Sequence, residues 1–204
     1  MKKIVISILL LAHFLNVSRA ALITDTVKTA LLIVDVQEFY FPGDRPGLVN
    51  VQQAADAAGK VLKVFRDKNM TVVHIRHQAS KGFEIHKSVE PISGEKVITK
   101  KEVNSFLGTD LLDYLKINSI TRLVVIGMQT HMCLEAAVRA GHDFGFQCIV
   151  IKDACATKDL KFDGKVIGAD DVQNSTFATL TAGGYSRVIN LIEFLNEPDK
   201  YITK

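Results

Sequence analysis

One stretch in the second half of the chain constrains the fold most, because it carries an apolar run directly into a helical pattern. The run Leu123–Ile126 ends at Gly127, a short polar turn follows, and a helical pattern begins near Cys133. A short apolar run that is bounded by a glycine is typical of a strand buried on both faces of a parallel sheet. We therefore predict a strand that passes into a helix here, with Cys133 near the N-terminus of that helix.

Similar apolar segments recur along the chain and alternate with helical patterns. The predicted strands cover residues 29–35, 71–76, 96–100, 122–127, 147–152 and 185–189. The predicted helices cover residues 50–69, 109–118, 131–145, 168–182 and 190–196. Strands that alternate with helices form parallel sheets with right-handed crossovers and a helical layer on each face. We therefore predict an α/β fold, a three-layer, doubly wound α/β/α sandwich around a mostly parallel six-stranded sheet.

The N-terminus has the pattern of a secretory signal peptide. Two lysines precede the apolar stretch Ile4–Leu15, and Ser18-Arg19-Ala20 has the small-x-small form of a cleavage site. The apolar stretch is too short for a comfortable membrane span. We expect cleavage after Ala20, export to the periplasm or the medium, and no stable membrane insertion of the mature protein. An uncleaved anchor is the alternative.

The remaining residues, 21–204, are sufficient for a single domain. The 204-residue chain is 48% hydrophobic, which is enough for one large core. Its formal net charge is +3, and the sequence contains no block of basic residues. Nucleic acid is therefore not an expected partner. We expect a small-molecule substrate and a homo-oligomer.

Three residues of catalytic type come at the ends of predicted strands. Asp35 follows the first strand, Lys100 ends the third, and Cys133 follows the fourth. Ligands of open α/β sheets bind outside the carboxyl ends of the strands, so these side chains are expected to converge on one cleft. A thiol with a base and a cation beside it is an activated nucleophile. A helix N-terminus and a lysine also favour the thiolate.

Each of these residues also has a purely structural interpretation. Free cysteines are often buried and inert, and an acid after a strand often caps a turn. Lys100 is followed by Lys101, so that one of the two is expected to be a solvated charge. Successive residues of an extended segment face opposite sides, and we expect Lys100 to be the inward one.

At these positions the chain resembles the isochorismatase-like cysteine hydrolases, a superfamily that includes nicotinamidases, N-carbamoylsarcosine amidases and isochorismatases. The resemblance lies in four stretches: Leu31–Gln37, Lys100–Leu111, Gly127–Ala140 and Asp153–Thr157. It extends over roughly residues 30–192 and implies an isochorismatase-like fold.

The resemblance implies hydrolysis of a small amide, ureide or carbamoyl-type C–N bond through a thioester to Cys133. Asp35 would act as the base and Lys100 would hold it in place. The backbone N–H groups of Gln129 and Cys133 would form the oxyanion hole, with a cis peptide bond between Met128 and Gln129.

Three further residues are candidates for substrate binding. Phe41 and His77 belong to the long loops 39–47 and 77–94, which should emerge at the carboxyl edge, where loops shape substrate pockets. His131 lies two residues before Cys133, where many relatives carry an acid.

Metal binding is a rival interpretation, because histidines follow the second strand. His74 and His77 are three residues apart on an extended chain and should face opposite sides of the sheet. The stretch after this strand also lacks the Asp-x-His pair that nicotinamidases carry. We therefore expect neither a catalytic metal nor another cofactor, and nicotinamide is a less favoured substrate.

Other functions stay open as alternatives. Within enzymes the alternative is isochorismatase-type vinyl-ether hydrolysis, which does not use a cysteine nucleophile. Outside enzymes it is a non-catalytic exported binding or redox protein on the same fold. The chain has neither a Gly-x-Ser-x-Gly elbow nor a Gly-x-Gly-x-x-Gly after the first strand, so a serine triad and dinucleotide binding are not expected.

The cysteine count bears on the redox alternative. An odd number of cysteines in an exported protein suggests a free reactive thiol, and Cys133 is the candidate. We expect Cys148 to be buried in a strand and Cys155 to follow that strand near the cleft. A disulfide between Cys133 and Cys155 is possible and would block the chemistry.

Overall fold

The computed structural model describes residues 27–43 and 46–203. The predicted signal segment therefore lies outside the described residues. The strands are β1 (Thr29–Val34), β2 (Thr71–His77), β3 (Lys96–Lys100), β4 (Arg122–Met128), β5 (Gln147–Ala156), β6 (Leu160–Phe162), β7 (Lys165–Ile167) and β8 (Arg187–Ile189). The helices are α1 (Val51–Asp67), α2 (Leu111–Ile117), α3 (Glu135–Asp143), α4 (Ala169–Ala182), α5 (Leu191–Asn196) and α6 (Pro198–Ile202). No helix of the described ranges is long and apolar enough to cross a bilayer.

Six strands form one sheet in the order β3-β2-β1-β4-β5-β8, and every neighbouring pair is parallel. The predicted fold class is therefore confirmed. All six residues of β1 are buried, as expected for a central strand that is covered on both faces. The order changes direction beside β1, and this places the carboxyl ends of β1 and β4 side by side at the switch point where open sheets bind ligands.

The side chains of β1 divide the core into two layers. Leu31 and Ile33 pack with buried residues of α1, α5 and α6. Ala30, Leu32 and Val34 face the other side, where they pack with buried residues of α2, α3 and α4. Full burial of a leucine or isoleucine side chain stabilises a fold by about 1.5–3 kcal/mol. These two layers hold the sheet that positions the strand ends.

Gly127 has a backbone conformation that lets β4 approach β1 closely. Its φ is +126°, and a Cβ atom there would lie 1.9 Å from the carbonyl oxygen of Val34. No side chain fits in that space. The close approach occurs one residue before Asp35, so the glycine that ends the apolar run also brings the two functional strand ends together.

Strand β5 is longer than predicted and ends at Ala156. The pairing of β4 with β5 shifts register between Val125 and Gly127, where Gly127 pairs with Cys155. This irregularity allows a strand of ten residues to include the exposed pair Lys152-Asp153. The expectation that Cys155 follows the strand is therefore wrong; Cys155 lies within β5, is buried, and donates to the carbonyl of Ile151 at 3.4 Å.

A small hairpin, which the strand patterns did not predict, follows β5. Strands β6 and β7 pair in antiparallel fashion outside the main sheet and are joined at Asp163-Gly164. Both turn residues have positive φ, at 48° and 72°. Asp-Gly is the dipeptide that two-residue hairpin turns favour, so this signal is present in the sequence.

Candidate functional site

The three predicted catalytic residues lie at the carboxyl edge of the sheet. Asp35 directly follows β1, and Lys100 is the last residue of β3. Cys133 lies in a π-helical turn, Thr130–Leu134, that connects β4 to α3. Because β2 separates β3 from β1, the long side chain of Lys100 spans one strand to reach Asp35.

The ammonium group of Lys100 is the centre of this cluster. Its Nζ lies 2.8 Å from Asp35 Oδ2 and 3.2 Å from the sulfur of Cys133. It also donates to Nδ1 of His77 and to the backbone carbonyl of Glu102, both at 3.1 Å. Ligand atoms of Asp35, His77 and Cys133 all lie within 4.8 Å of one another. The carboxylate, the ammonium and the thiol are therefore in mutual contact, with an imidazole at their edge.

The cluster is almost fully removed from solvent. Asp35, Lys100 and Cys133 are exposed by only 0%, 1% and 5%. Burial raises the pKa of the Asp35 carboxyl, while the neighbouring Lys100 opposes that rise. Burial also raises the pKa of the Cys133 thiol to about 12; the charge of Asp35 raises it further and Lys100 opposes both.

Lys100 favours the thiolate, as expected from the sequence, but desolvation and the adjacent carboxylate have the larger effect on the pKa of the Cys133 thiol. The net direction of that pKa shift disfavours the thiolate. Asp35, whose own pKa is raised by burial, is the carboxyl group next to this thiol.

The register of β3 is as predicted. Lys100 is buried and Lys101 is exposed. Lys101 lies instead near Gln78 and Ser80, which are both exposed. The adjacent lysines therefore provide one buried cation and one surface cation of the same chemistry.

His77 is held at the site by hydrogen bonds to its ring and to its backbone. Because an ammonium only donates, Nδ1 of His77 is the acceptor in its contact with Lys100. The side chain of Gln37 accepts from the backbone N–H of His77 at 2.6 Å. It also donates to the carbonyls of His77 and Phe83, at 3.1 and 2.8 Å. Gln37, which sequence reasoning missed, thus fixes the loop that carries His77.

Gln129 and Tyr40 are neighbouring polar residues, and each follows a strand that leads to the candidate site. The peptide bond between Met128 and Gln129 is cis, as expected. Gln129 is 8% exposed, and its Oε1 has no hydrogen-bond partner among the described residues. Burial raises the pKa of the Tyr40 hydroxyl, as do the charges of Asp35 and Cys133, whereas contact with the Gln129 side chain lowers it. Tyr40 adjoins the predicted Phe41 and was not itself predicted.

The two other candidates for substrate binding make contacts within the protein. The ring of Phe41 stacks on His86, with centroids 3.8 Å apart and planes at 9°. Nδ1 of His131 lies 2.6 Å from the hydroxyl of Thr157, just beyond the end of β5. Burial lowers the pKa of His131. These contacts indicate that Phe41 supports the loop after β1 and that His131 connects the π-helical turn to β5.

Asp35, His77 and Cys133 are residue types that bind transition metals, and their atoms are close enough to share an ion. The ammonium of Lys100, however, lies within 3.2 Å of an atom of each one. A divalent cation among these ligands would be strongly repelled by that charge. His74 is on the other face of β2, as predicted, and its Nε2 pairs with Glu95 at 2.8 Å. The donor set is therefore organised around a lysine.

All three cysteines are free thiols. Cys148 is buried in β5, as predicted. Burial raises the pKa values of Cys148 and Cys155 to about 12. The sulfur atoms of Cys148 and Cys155 donate to backbone carbonyls, whereas the sulfur of Cys133 contacts the ammonium of Lys100. Cys133 is therefore the thiol with catalytic surroundings.

Comparison with known proteins gives consistent results. A model of the isochorismatase domain matches residues 29–183. The chain is 39% identical to the isochorismatase family protein YddQ of Bacillus subtilis. The alignment of 180 residues covers 83% of this chain and 99% of YddQ. It is 28% identical to maleamate amidohydrolase of Pseudomonas putida, over 62% of this chain and 71% of that enzyme. The crystal structure of an isochorismatase hydrolase from Oleispira antarctica superposes with a TM-score of 0.79 at 38% identity, covering 83% of this chain and 96% of that one.

Proposed function

The chain belongs to the isochorismatase family of hydrolases, and on that premise we propose that it hydrolyses a small amide, ureide or carbamoyl-type C–N bond through a thioester to Cys133. The observation that supports this proposal is the buried contact of Lys100 with both Asp35 and the Cys133 sulfur, at 2.8 and 3.2 Å. Vinyl-ether hydrolysis does not require a cysteine nucleophile. Amide hydrolysis through a thioester would use Asp35, Lys100 and Cys133 together.

In the first step Asp35 accepts the thiol proton while the sulfur of Cys133 attacks the substrate carbonyl carbon. Lys100 remains protonated and balances the negative charge, which passes from the carboxylate to the developing thiolate and oxyanion. The backbone N–H groups of Gln129 and Cys133 would hold the oxyanion. One such donor typically contributes about 10²–10³ in turnover.

In the second step the tetrahedral intermediate collapses and the C–N bond breaks. Asp35 returns its proton to the departing nitrogen, which leaves as ammonia or an amine, and the acyl group remains on sulfur. Water then attacks the thioester with Asp35 as the base. The carboxylic acid leaves, and the proton returns to the Cys133 sulfur.

The substrate class is tested by a screen for ammonia release. We expect at least one small primary amide, ureide or carbamoyl compound to be hydrolysed; maleamate is the first choice because a relative is named for it. Asp35→Asn should remove this turnover, because the amide cannot accept the thiol proton. A non-catalytic binding or redox protein would instead release no ammonia from any compound while Cys133 oxidised reversibly.

Turnover should not depend on a metal ion. The ammonium of Lys100 lies between the groups that would bind one, and it supplies the positive charge that the attack requires. Dialysis against a chelator should therefore leave the rate of ammonia release unchanged. A rate that fell on chelation and recovered with zinc or iron would make His77 or His86 a ligand and would favour nicotinamide as the substrate.

We also propose that the protein is exported, because the basic, apolar and small-residue regions of a signal peptide occur in the right order before Ala21. N-terminal sequencing of the exported fraction should begin at or near Ala21. Recovery of Met1 from that fraction would indicate an uncleaved anchor instead.

A further inference from the structure

Gln129 carries a buried hydrogen-bond acceptor that the described part of the protein does not use. The residue is 8% exposed, and its Oε1 has no partner within those ranges. A buried acceptor without a partner costs about 1–3 kcal/mol, and native proteins contain few of them. Such an atom at a candidate active site points to a ligand that donates a hydrogen bond.

Gln129 lies at the edge of the sheet that also carries the reacting groups. It directly follows the last residue of β4 and directly precedes the π-helical turn that carries Cys133. The neighbouring Tyr40 is near enough to Asp35 and Cys133 for their charges to affect its pKa. Oε1 is therefore a buried acceptor at the carboxyl edge where Asp35, Lys100 and Cys133 meet.

We propose that Gln129 is the residue that recognises the scissile carboxamide or carbamoyl group, and that the enzyme selects substrates with an N–H on the leaving nitrogen. This inference rests on the proposed function. An amide of this kind presents a carbonyl acceptor and an N–H donor on one edge. Gln129 offers the matching pair, a backbone N–H donor for the carbonyl oxygen and the side-chain Oε1 acceptor for the N–H.

Esters and N,N-dialkyl amides lack that donor and would leave Oε1 buried and unpaired. Sites that are built to hydrogen-bond a polar group reject analogues without it far more strongly than apolar pockets reject a missing methylene. The substrate class then narrows to those amides, ureides and carbamoyl compounds that keep an N–H on the leaving nitrogen. Tyr40 is a positioning residue, since it contacts the Gln129 amide.

The test compares three compounds with the same acyl group: the best primary amide of the ammonia screen, its N,N-dimethyl amide and its methyl ester. The carboxylic acid that all three release is measured for each enzyme. Gln129→Met keeps the backbone N–H and the side-chain length but removes the acceptor. The ratio of kcat/KM for the primary amide to that for the ester should fall by about 10- to 100-fold.

Two further variants provide controls. Tyr40→Phe should lower the same ratio by a smaller factor, because the Gln129 amide loses its contact but keeps its acceptor. Gln147→Met makes the same chemical change at an exposed residue that pairs with Arg122, and it should leave the ratio unchanged.

The outcomes separate the two proposals. A Gln129→Met ratio equal to that of the wild type would overturn the recognition role while leaving the thioester mechanism intact. This holds whether both rates are unchanged or both fall by the same factor, and the second case would indicate a merely structural role. If the wild-type enzyme released ammonia from no compound of the screen, the proposed function would fail, and the recognition role with it.

Discussion

Replacing Cys133 by alanine is expected to reduce turnover by at least about 10⁴-fold while leaving the fold nearly intact. Loss of a nucleophile in a comparable catalytic group costs about 10⁶ in kcat. The sulfur receives a hydrogen bond from Lys100, but Lys100 keeps its partners Asp35, His77 and Glu102 when the sulfur is removed. The ion pair therefore survives the substitution, and so does the packing that surrounds it.

Cys148 offers the matched control, because it is also a buried free thiol. Its sulfur donates to the backbone carbonyls of Val138 and Phe146, and neither of these partners is charged. Cys148→Ala should keep activity and lose about 1 kcal/mol of the free energy of unfolding through a small cavity. Ammonia release and urea unfolding of both variants measure these effects. Substantial activity in Cys133→Ala would rule out the thioester.

The contrast between the two thiols shows what the sequence could predict. Cys133, Asp35 and Lys100 could be placed together because parallel strands end at one edge of the sheet, and the apolar runs locate those ends. The pKa of Cys133 could not be predicted in the same way. It depends on how completely the surrounding protein removes the thiol from solvent, and three-dimensional packing determines that.

The residues that were missed, Gln37 and Tyr40, both lie in the segment between β1 and α1. Gln37 acts through the backbone of His77 and Phe83, about forty residues away, and nothing in the local pattern indicates such a partner. Tyr40 ends the three-residue 3-10 helix Glu38–Tyr40, which is too short to show a hydrophobic periodicity. Two short elements could have been predicted from residues in the sequence. Asp163-Gly164 is typical of a hairpin turn, and Pro198 occupies the first turn of α6, where proline is favoured.

The second prediction with a large expected effect concerns the buried ion pair between Lys100 and Asp35. Lys100→Met should reduce the free energy of unfolding by about 3–5 kcal/mol, because it leaves the Asp35 carboxylate buried without a counter-ion. Turnover should also be lost, since no cation remains to balance the thiolate. The adjacent Lys101→Met is the matched control, and at an exposed position it should change both quantities little.

A double variant separates the structural role of the pair from its chemical role. Asn is the appropriate replacement at position 35, because Asp35 has a φ of +51° and asparagine tolerates that conformation. Asp35→Asn combined with Lys100→Met removes both charges and should recover most of the stability that Lys100→Met loses. It should recover no turnover, because neither a base nor a cation remains beside Cys133. If the double variant were as unstable as Lys100→Met, the cost would come from lost packing, and if it were active, the thiol would need neither charge.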